Sequence, residues 1–351
     1  MLRELTPTIA SRLRRIWQSR EFPAPLLLPV AWGYSLLVRC RRLAYQWGAL
    51  KSQRVGVPVL VVGNAVVGGA GKTPTAIAII QHLQQQGRRV GVVSRGYGRS
   101  SDDVQEVHID SHPSAVGDEP LLIRRTTGAA TMVGRQRATA ARALLDSHPD
   151  LEILVCDDGL QHYALHRDLE VCVFDARGTG NGWLLPAGPL RELWPAAPIA
   201  AVGQSLGNRL ILNTGDKNLI PGFAASRRLA DYALAQDGTR TALAKLVGPR
   251  PLMALAGIAQ PERFFEMLKG RPITLAHTLG LPDHCTFDAS IRAATDGFQV
   301  LCTEKDAVKL WPWVPQALAV PLVQEMEQAF WRTLDAEVTR CMDQRAKAAK
   351  L

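Results

Sequence analysis

From residue 57 onward, short apolar runs rich in β-branched residues alternate with longer stretches of helical periodicity. This alternation predicts a parallel sheet whose strands are joined by crossover helices. On the helix predicted at 75–86, apolar side chains recur on one face, and Gly87 follows as a C-terminal cap. The predicted strands of this region are 57–62, 89–93, 130–133, 152–156 and 169–174, with helices at 75–86 and 135–147.

The pattern changes near residue 230, where an Asp-Gly pair separates two short runs and predicts a β-hairpin. Beyond it we predict a smaller α/β domain. Its expected elements are a strand and a helix over 251–268, a strand over 273–280, a strand followed by a loop over 298–310, and a closing helix over 326–349. The chain then divides into an N-terminal segment (1–48), a sheet domain (49–230), a two-stranded hairpin linker (231–246) and a second domain (247–351).

The N-terminal segment contains an apolar run from Phe22 to Val38 that holds three prolines, Trp32 and Tyr34. So short a run lies at the lower limit for crossing a bilayer, and no small-residue cleavage site follows it. Arginines on both sides favour a segment that lies in the headgroup layer of a membrane, with a core helix or a true span as alternatives. The flanking arginines are Arg3, Arg12, Arg14, Arg15 and Arg20 before the run, and Arg39, Arg41 and Arg42 after it.

The net charge of +9 suits nucleic acid, an anionic membrane or phosphorylated substrates equally well. Because many of the arginines gather around the apolar run and no RNA-binding signature appears, we expect a membrane surface as partner and no nucleic acid. The six cysteines form no C-x-x-C pair, so neither a zinc site nor a disulfide framework is predicted. Reduced thiols in a cytoplasmic protein are the simplest interpretation.

A glycine-rich stretch, VVGNAVVGGAGKTPTAIAII, lies between an apolar strand and an amphipathic helix. The general phosphate-loop pattern G-x-x-x-x-G-K-[ST] requires a glycine where this chain has Val66. Strand, glycine loop, Lys-Thr and helix nevertheless predict a P-loop NTPase-like domain that binds ATP, with Lys72 on the β and γ phosphates and Thr73 on Mg²⁺. The predicted nucleotide-binding residues are Val66, Val67, Gly68, Gly69, Ala70, Gly71, Lys72 and Thr73.

Acidic residues at a neighbouring strand end would complete a metal site. Four apolar residues run directly into Asp157 and Asp158, as in a Walker B strand. The loop SRGYGR, with Arg95 and Tyr97, follows the second predicted strand and suits an anionic ligand, although a solvated turn explains it equally well.

Two further polar clusters leave their roles open on the residues alone. Asp118 and Glu119 in GDEP open a leucine-rich helix, where simple N-capping is the alternative to function. His284 in LPDHCTF lies in a loop, where a histidine is usually a bystander.

Taken in order, seven motifs resemble those of the lipid A 4'-kinases, the tetraacyldisaccharide 4'-kinases. The resemblance covers about residues 20–325 and rests on GNAVVGGAGKTP, SRGYGR, GDEP, DDGLQH, LLPAGPLREL, PDHCTF and TEKDAVKL. It implies a kinase that transfers the γ-phosphate of ATP to the 4'-hydroxyl of a tetraacylated glucosamine disaccharide 1-phosphate. The product would be lipid IVA in lipid A (lipopolysaccharide) biosynthesis, made at the cytoplasmic face of the bacterial inner membrane.

Carried over by motif, the resemblance implies that Lys72 and Thr73 bind ATP and Mg²⁺ and that Asp118 is a catalytic aspartate paired with His284. Asp157, Asp158 and Glu119 would complete the metal environment. The residues implied on the acceptor side are Arg95, Tyr97, His162, Arg191 and Glu192. Cys285 departs from the pattern, since many members carry a second histidine there.

A partitioning-type membrane ATPase is the alternative from another class, because its deviant loop K-G-G-x-G-K-[ST] shares GGAGKT. Val67 stands where that class needs its signature lysine. A GTP-gated binding module would require an N-K-x-D motif, and the sequence contains none.

Overall fold

Two sheets organise the described part of the chain, which is residues 16–68, 71–195, 208–215, 219–246 and 248–348 of this computed structural model. The strands are β1 Val59–Gly63, β2 Val90–Ser94, β3 Gln105–Glu106, β4 Ala130–Val133, β5 Ile153–Asp157, β6 Leu169–Phe174, β7 Asn208–Asn213, β8 Phe223–Leu229, β9 Tyr232–Leu234, β10 Arg240–Ala242, β11 Leu252–Ala256, β12 Leu275–Gly280, β13 Gln299–Thr303, β14 Leu318–Val320 and β15 Leu322–Met326. The α-helices are α1 Leu28–Gln46, α2 Lys72–Gln85, α3 Pro113–Val116, α4 Asp118–Thr127, α5 Arg137–Ser147, α6 Pro261–Lys269, α7 Ser290–Thr295, α8 Glu304–Leu310 and α9 Gln328–Ala348. Short 3₁₀ turns occupy Ala24–Leu27 and Leu243–Lys245.

The first sheet has the strand order β15-β8-β7-β6-β1-β5-β2-β4-β3. Its centre is parallel, with β1 between β5 and β6, and β2 between β5 and β4. Every residue of β1, β2, β5 and β6 is buried, because both faces of a parallel sheet are covered. The continuous apolar runs of the sequence therefore reflect burial on two sides, and the predicted parallel α/β domain is confirmed.

The strands predicted for this sheet are present, with bounds close to those predicted. Strands 130–133 and 169–174 match to the residue, and the other three shift by one or two positions. Helix α2 begins at Lys72 rather than residue 75, because Gly71 takes a left-handed conformation (φ 87°) and leads the loop directly into the helix. The loop lysine and threonine thus form the first helical turn.

The second sheet has the order β10-β9-β14-β13-β11-β12, parallel through β14, β13, β11 and β12. The predicted hairpin is present as β9 and β10, which pair antiparallel around Gly238 (φ 85°). It joins the sheet edge through one residue pair, Leu234 with Ala319. The chain passes between the sheets near 230 and again near 321, where Ala230 N–H donates to Pro321 O at 2.9 Å.

The prediction that residues 247–351 form one second domain is corrected at its C-terminal end. Strand β15 pairs antiparallel with β8 of the first sheet. On α9, Phe330, Leu334 and Val338 share one helix face and pack into the core of that first sheet. The apolar stripe of the helix needs a sheet face to cover, and the sequence alone does not show which sheet supplies it.

The predicted loop after residue 303 is also wrong, because α8 occupies 304–310. Thr303 caps this helix, since its side-chain oxygen accepts from the Asp306 N–H. Sequence reasoning overlooked this Thr-x-x-Asp cap.

Asp168 ties strand β1 to the C-terminal helix. Its Oδ2 accepts from Val59 N–H at 2.8 Å and from Arg345 Nη2 at 2.9 Å. Burial would raise the pKa of Asp168, but hydrogen bonds from His166 and Arg345 lower it to about 2. A folded-state pKa below the unfolded value stabilises the protein above about pH 4, and that stabilisation is lost as the pH falls toward 2.

We therefore expect Asp168→Asn to lower the free energy of unfolding by about 2 kcal/mol at neutral pH. The difference from wild type should shrink as the pH falls from 4 toward 2, measured by urea unfolding followed by circular dichroism. Asp150→Asn is the matched control, because Asp150 makes only an exposed ion pair with Arg89. Equal losses in both variants would contradict this role of Asp168.

Candidate functional site

The phosphate loop lies at the carboxyl end of β1, between that strand and α2. Gly68 and Gly71 both have positive φ, at 105° and 87°, which a side chain would strain. Lys72 and Thr73 open α2, whose first N–H groups and dipole favour an anion. Gly69 and Ala70 of the predicted loop lie outside the described residues.

Val66 departs from the general pattern because it belongs to a hydrophobic cluster. It is 2% exposed, packs with Leu160, Leu184 and Leu190, and forms an isolated bridge with Leu190. Its φ is not positive, as expected for a β-branched residue. Val67 N–H donates to Pro189 O at 2.8 Å, so both valines fix the start of the loop against the LLPAGPLREL segment.

Two arginines that the sequence reasoning missed flank the loop. The Arg227 guanidinium lies so close to Gly71 that a Cβ there would be 3.0 Å from its central carbon, and Arg177 approaches Gly68 similarly. Arg177 follows the carboxyl end of β6, a position that could have drawn attention to it. Arg227 lies on β8, which was not predicted, so no comparable signal existed.

Asp157 and Asp158 follow one another at the end of β5, but their environments shift their pKa values in opposite directions. Neither oxygen of the buried Asp157 accepts a hydrogen bond of ordinary geometry from the described residues. Burial, Glu119 and Asp158 raise the pKa of Asp157 to about 8. Asp158 Oδ1 lies 3.7 Å from Lys72 Nζ and 3.2 Å from Arg191 Nη1, and although burial opposes it, these cations lower the pKa of Asp158.

Asp118 of the first domain contacts His284 of the second domain. Asp118 begins α4 and is 6% exposed, and its Oδ2 lies 3.1 Å from His284 Nδ1. Burial would raise the pKa of Asp118, but the His284 hydrogen bond and the charges of Lys305 and Lys309 lower it to about 2. The predicted pair is therefore in contact, with an ionised carboxylate.

The SRGYGR and GDEP motifs pack directly on one another. A Cβ at Gly117 would lie 3.0 Å from the Gly96 Cα, so this approach requires glycine. The contact brings the Tyr97 ring edge-on to the His284 ring, with 5.3 Å between centroids. Tyr97 therefore covers the imidazole that contacts Asp118.

The other residues predicted for the acceptor side lie in different places. Arg191 lines the cleft, and Arg95 is exposed at its loop. Glu192 is 3% exposed and accepts from Tyr163 at 2.9 Å and from Gln161 at 3.2 Å, so the structure does not bring it to the cleft. His162 is outside the cleft lining too, and burial and Arg137 lower its pKa to about 4.

Backbone strain points to the same site. Among the described residues, the non-glycine positions with positive φ are Asp158 (47°) and His284 (58°). Such conformations cost about 1 to 3 kcal/mol and persist where the surroundings enforce them. Both residues were singled out from sequence motifs, and both lie in one cleft of about 2010 Å³ with Lys72, Thr73, Glu119 and Tyr97.

The phosphate loop at the carboxyl edge of a parallel sheet opens into a large cleft whose lining includes His284, the hydrogen-bond partner of the ionised Asp118. These features define a P-loop kinase. The family described as tetraacyldisaccharide-1-P 4'-kinase matches residues 23–339. The chain belongs to this family, and that membership decides against the partitioning-type ATPase.

Several related proteins match this sequence over nearly the whole chain. A tetraacyldisaccharide 4'-kinase of Polaromonas sp. (strain JS666) is 53% identical over 94% of this chain and 97% of that protein. One of Acidovorax sp. (strain JS42) is 51% identical over 94% and 95%. A crystal structure of LpxK from Aquifex aeolicus in complex with ATP superposes with a TM-score of 0.75 at 26% identity, covering 91% of this chain and 99% of that one.

Proposed function

We propose that this chain transfers the γ-phosphate of ATP to the 4'-hydroxyl of tetraacyldisaccharide 1-phosphate, forming lipid IVA. The observation that carries the proposal is the cleft itself, which Lys72 and Thr73 line from one domain and His284 from the other. Its volume of about 2010 Å³ exceeds the roughly 300–1,000 Å³ of ordinary small-molecule pockets. A nucleotide and a disaccharide headgroup could therefore be held together.

The residues suit phosphoryl transfer, which needs positioning and charge neutralisation more than covalent chemistry. Lys72 offers positive charge to the transferred group, and Asp118 accepts the hydroxyl proton. Because the pKa of Asp118 is about 2, it is ionised at neutral pH and accepts the proton late, as the bond to phosphorus forms.

The residues present also fit Mg²⁺. The two unpartnered oxygens of Asp157 lie in a buried site beside Asp158, where a cation would offset their charge. No group of three or more His, Cys, Asp or Glu forms a ready-made metal site within the described ranges. That agrees with Mg²⁺, which is usually held by one or two carboxylates together with substrate phosphates. Asp157, Asp158 and the Thr73 hydroxyl would hold the ion, which neutralises phosphate charge when bound.

Helix α1 supports a membrane surface as partner. Its inner side is attached to the protein, since Tyr34 OH donates to Arg191 O at 2.8 Å. Large apolar residues in and near this helix are exposed: Phe22, Leu26, Val30, Trp32, Leu36, Leu37, Leu43 and Trp47. In the described segments, no helix combines the length and apolarity that a bilayer crossing requires. We therefore propose that this surface lies in the headgroup layer of the cytoplasmic face of the bacterial inner membrane.

Transfer is tested by incubating the protein in detergent with γ-labelled ATP, Mg²⁺ and the disaccharide 1-phosphate. Wild type should label the lipid, Lys72→Ala should abolish labelling, and Asp118→Ala should lower kcat by about 10²- to 10⁴-fold, the contribution of a general base. Absence of Lys72-dependent label would refute the function. Near-normal turnover of both Asp118→Ala and His284→Ala would refute the catalytic pair alone.

Asp157→Asn is expected to raise the melting temperature of the protein in EDTA at neutral pH. The raised pKa of Asp157 means that folding must protonate this carboxyl or bury it charged, and a neutral amide removes that cost. The same variant should lose most of the further rise that Mg²⁺ and ATP produce in wild type, measured by scanning fluorimetry. Asp146→Asn, on the exposed side of α5, serves as control and should match wild type in both conditions. A lower melting temperature for Asp157→Asn in EDTA would contradict the assignment.

Leu37→Ser should weaken binding to phosphatidylethanolamine–phosphatidylglycerol vesicles on the order of tenfold, since one large apolar side chain no longer enters the lipid. Leu37 is 70% exposed, and Leu219→Ser, 55% exposed and outside α1, is the control. Co-sedimentation measures both. Equal affinity of the two variants would exclude α1 as the membrane contact.

A further inference from the structure

Two lysines on α8 surround the Asp118–His284 pair. Lys305 and Lys309 are one helical turn apart, so they project from the same face of the helix. Their side chains are only 16% and 12% exposed. The TEKDAVKL motif that contains them contributed to the family resemblance, but no role followed from it.

Lys305 makes three polar contacts within 3.5 Å. Its Nζ lies 3.0 Å from His284 Nε2, 3.2 Å from Asp283 Oδ1 and 3.5 Å from Glu119 Oε1. Burial would lower the pKa of Lys305, but Glu119, Asp118 and Asp283 outweigh it and raise that pKa. With two carboxylates within 3.5 Å, Lys305 is placed as an ammonium, which can only donate.

This contact determines which nitrogen of His284 carries the hydrogen. Because the ammonium has no lone pair, His284 Nε2 must be the acceptor, and the ring hydrogen must be on Nδ1. The pKa of His284 is raised on balance by the Asp118 hydrogen bond and by the charges of Asp118 and Asp283, although burial and Lys305 oppose the rise. Asp283 Oδ1 lies 3.9 Å from Nε2, farther away than the Lys305 ammonium. An imidazolium would set two donors against each other at 3.0 Å, so the neutral ring is the form compatible with this contact.

We propose that Lys305 is a positioning residue that fixes His284 as the neutral Nδ1–H tautomer, so that the ring donates to Asp118 and cannot take the substrate proton. This inference rests on the proposed kinase function. Asp118 Oδ2, 3.1 Å from Nδ1, receives the donated hydrogen. Asp118 is thereby left as the group that accepts the proton of the sugar hydroxyl.

Lys309 provides a matched comparison within the same helix. Its Nζ lies 3.4 Å from Asp118 Oδ2 and donates to Cys285 O at 3.0 Å. No described contact joins it to the imidazole. Lys309 therefore places positive charge beside Asp118 without specifying the His284 tautomer.

The tautomer is read from two-bond ¹H–¹⁵N correlation spectra of the full chain, labelled with ¹⁵N-histidine, in detergent at pH 8. His284→Gln identifies the His284 signals among the eight histidines. Wild type and Lys309→Met should show the Nδ1–H pattern. Lys305→Met should show a mixture that includes Nε2–H, and Lys305→Arg, which retains a donor, should restore Nδ1–H.

In the transfer assay, Lys305→Met should lower kcat roughly 10- to 100-fold, less than loss of the general base itself, with the KM for ATP unchanged. Lys269→Met, exposed at the end of α6, should behave as wild type. A wild-type ring in the Nε2–H or imidazolium form, or an unchanged tautomer in Lys305→Met, would overturn the proposal. The spectra do not depend on phosphate transfer, so a failure of the proposed function would be recognised separately.

Discussion

The buried negative charge of Asp118 is the constraint on which the cleft depends. A carboxylate removed from water is costly unless opposite charges and hydrogen bonds compensate it. Asp118 belongs to the first domain, but its compensating groups, His284 and Lys309, belong to the second. An apolar cluster that includes Leu121 from the first domain and Trp311 from the second holds the two in contact. Asp118 is therefore kept ionised by groups that the packing of the two domains brings to it.

The elements that could be predicted are those whose hydrophobic pattern is local in the sequence. Strands such as β1 are continuous apolar runs, because burial on both faces leaves its mark in the sequence itself. Strand β8 mixes buried and exposed positions and carries Arg227 and Arg228, so no local pattern distinguishes it. Its existence depends on pairing with β7 and with β15, which returns from far along the chain. Such pairing is a tertiary property, and for that reason Arg227 was missed beside the loop.

In the candidate site, too, residues that are close in sequence could be predicted, and contacts between distant segments could not. Lys72 and Thr73 were predicted because a phosphate loop is assembled from consecutive residues. The contact of Lys305 with Glu119 and His284 joins three segments that only the folded chain brings together. Cys285, the departure from the family pattern, is half-buried. Its sulfur fills the space beside Gly257, burial raises the pKa of its thiol, and its backbone carbonyl supplies the polar contact to Lys309.

Hydrogen bonds and ring packing also connect helix α1 to the wall of the cleft. Arg191, which lines the cleft, receives a hydrogen bond from Tyr34 of α1 through its backbone carbonyl. The neighbouring Glu192 accepts from Tyr163, whose ring packs edge-on against Tyr45 of the same helix at 5.6 Å. A lipid whose acyl chains stay in the bilayer can offer its sugar only at a set height above the surface. If α1 lies in that surface as proposed, a cleft wall fixed to the helix would meet the sugar at a constant distance, and the buried Glu192 would hold that wall in place.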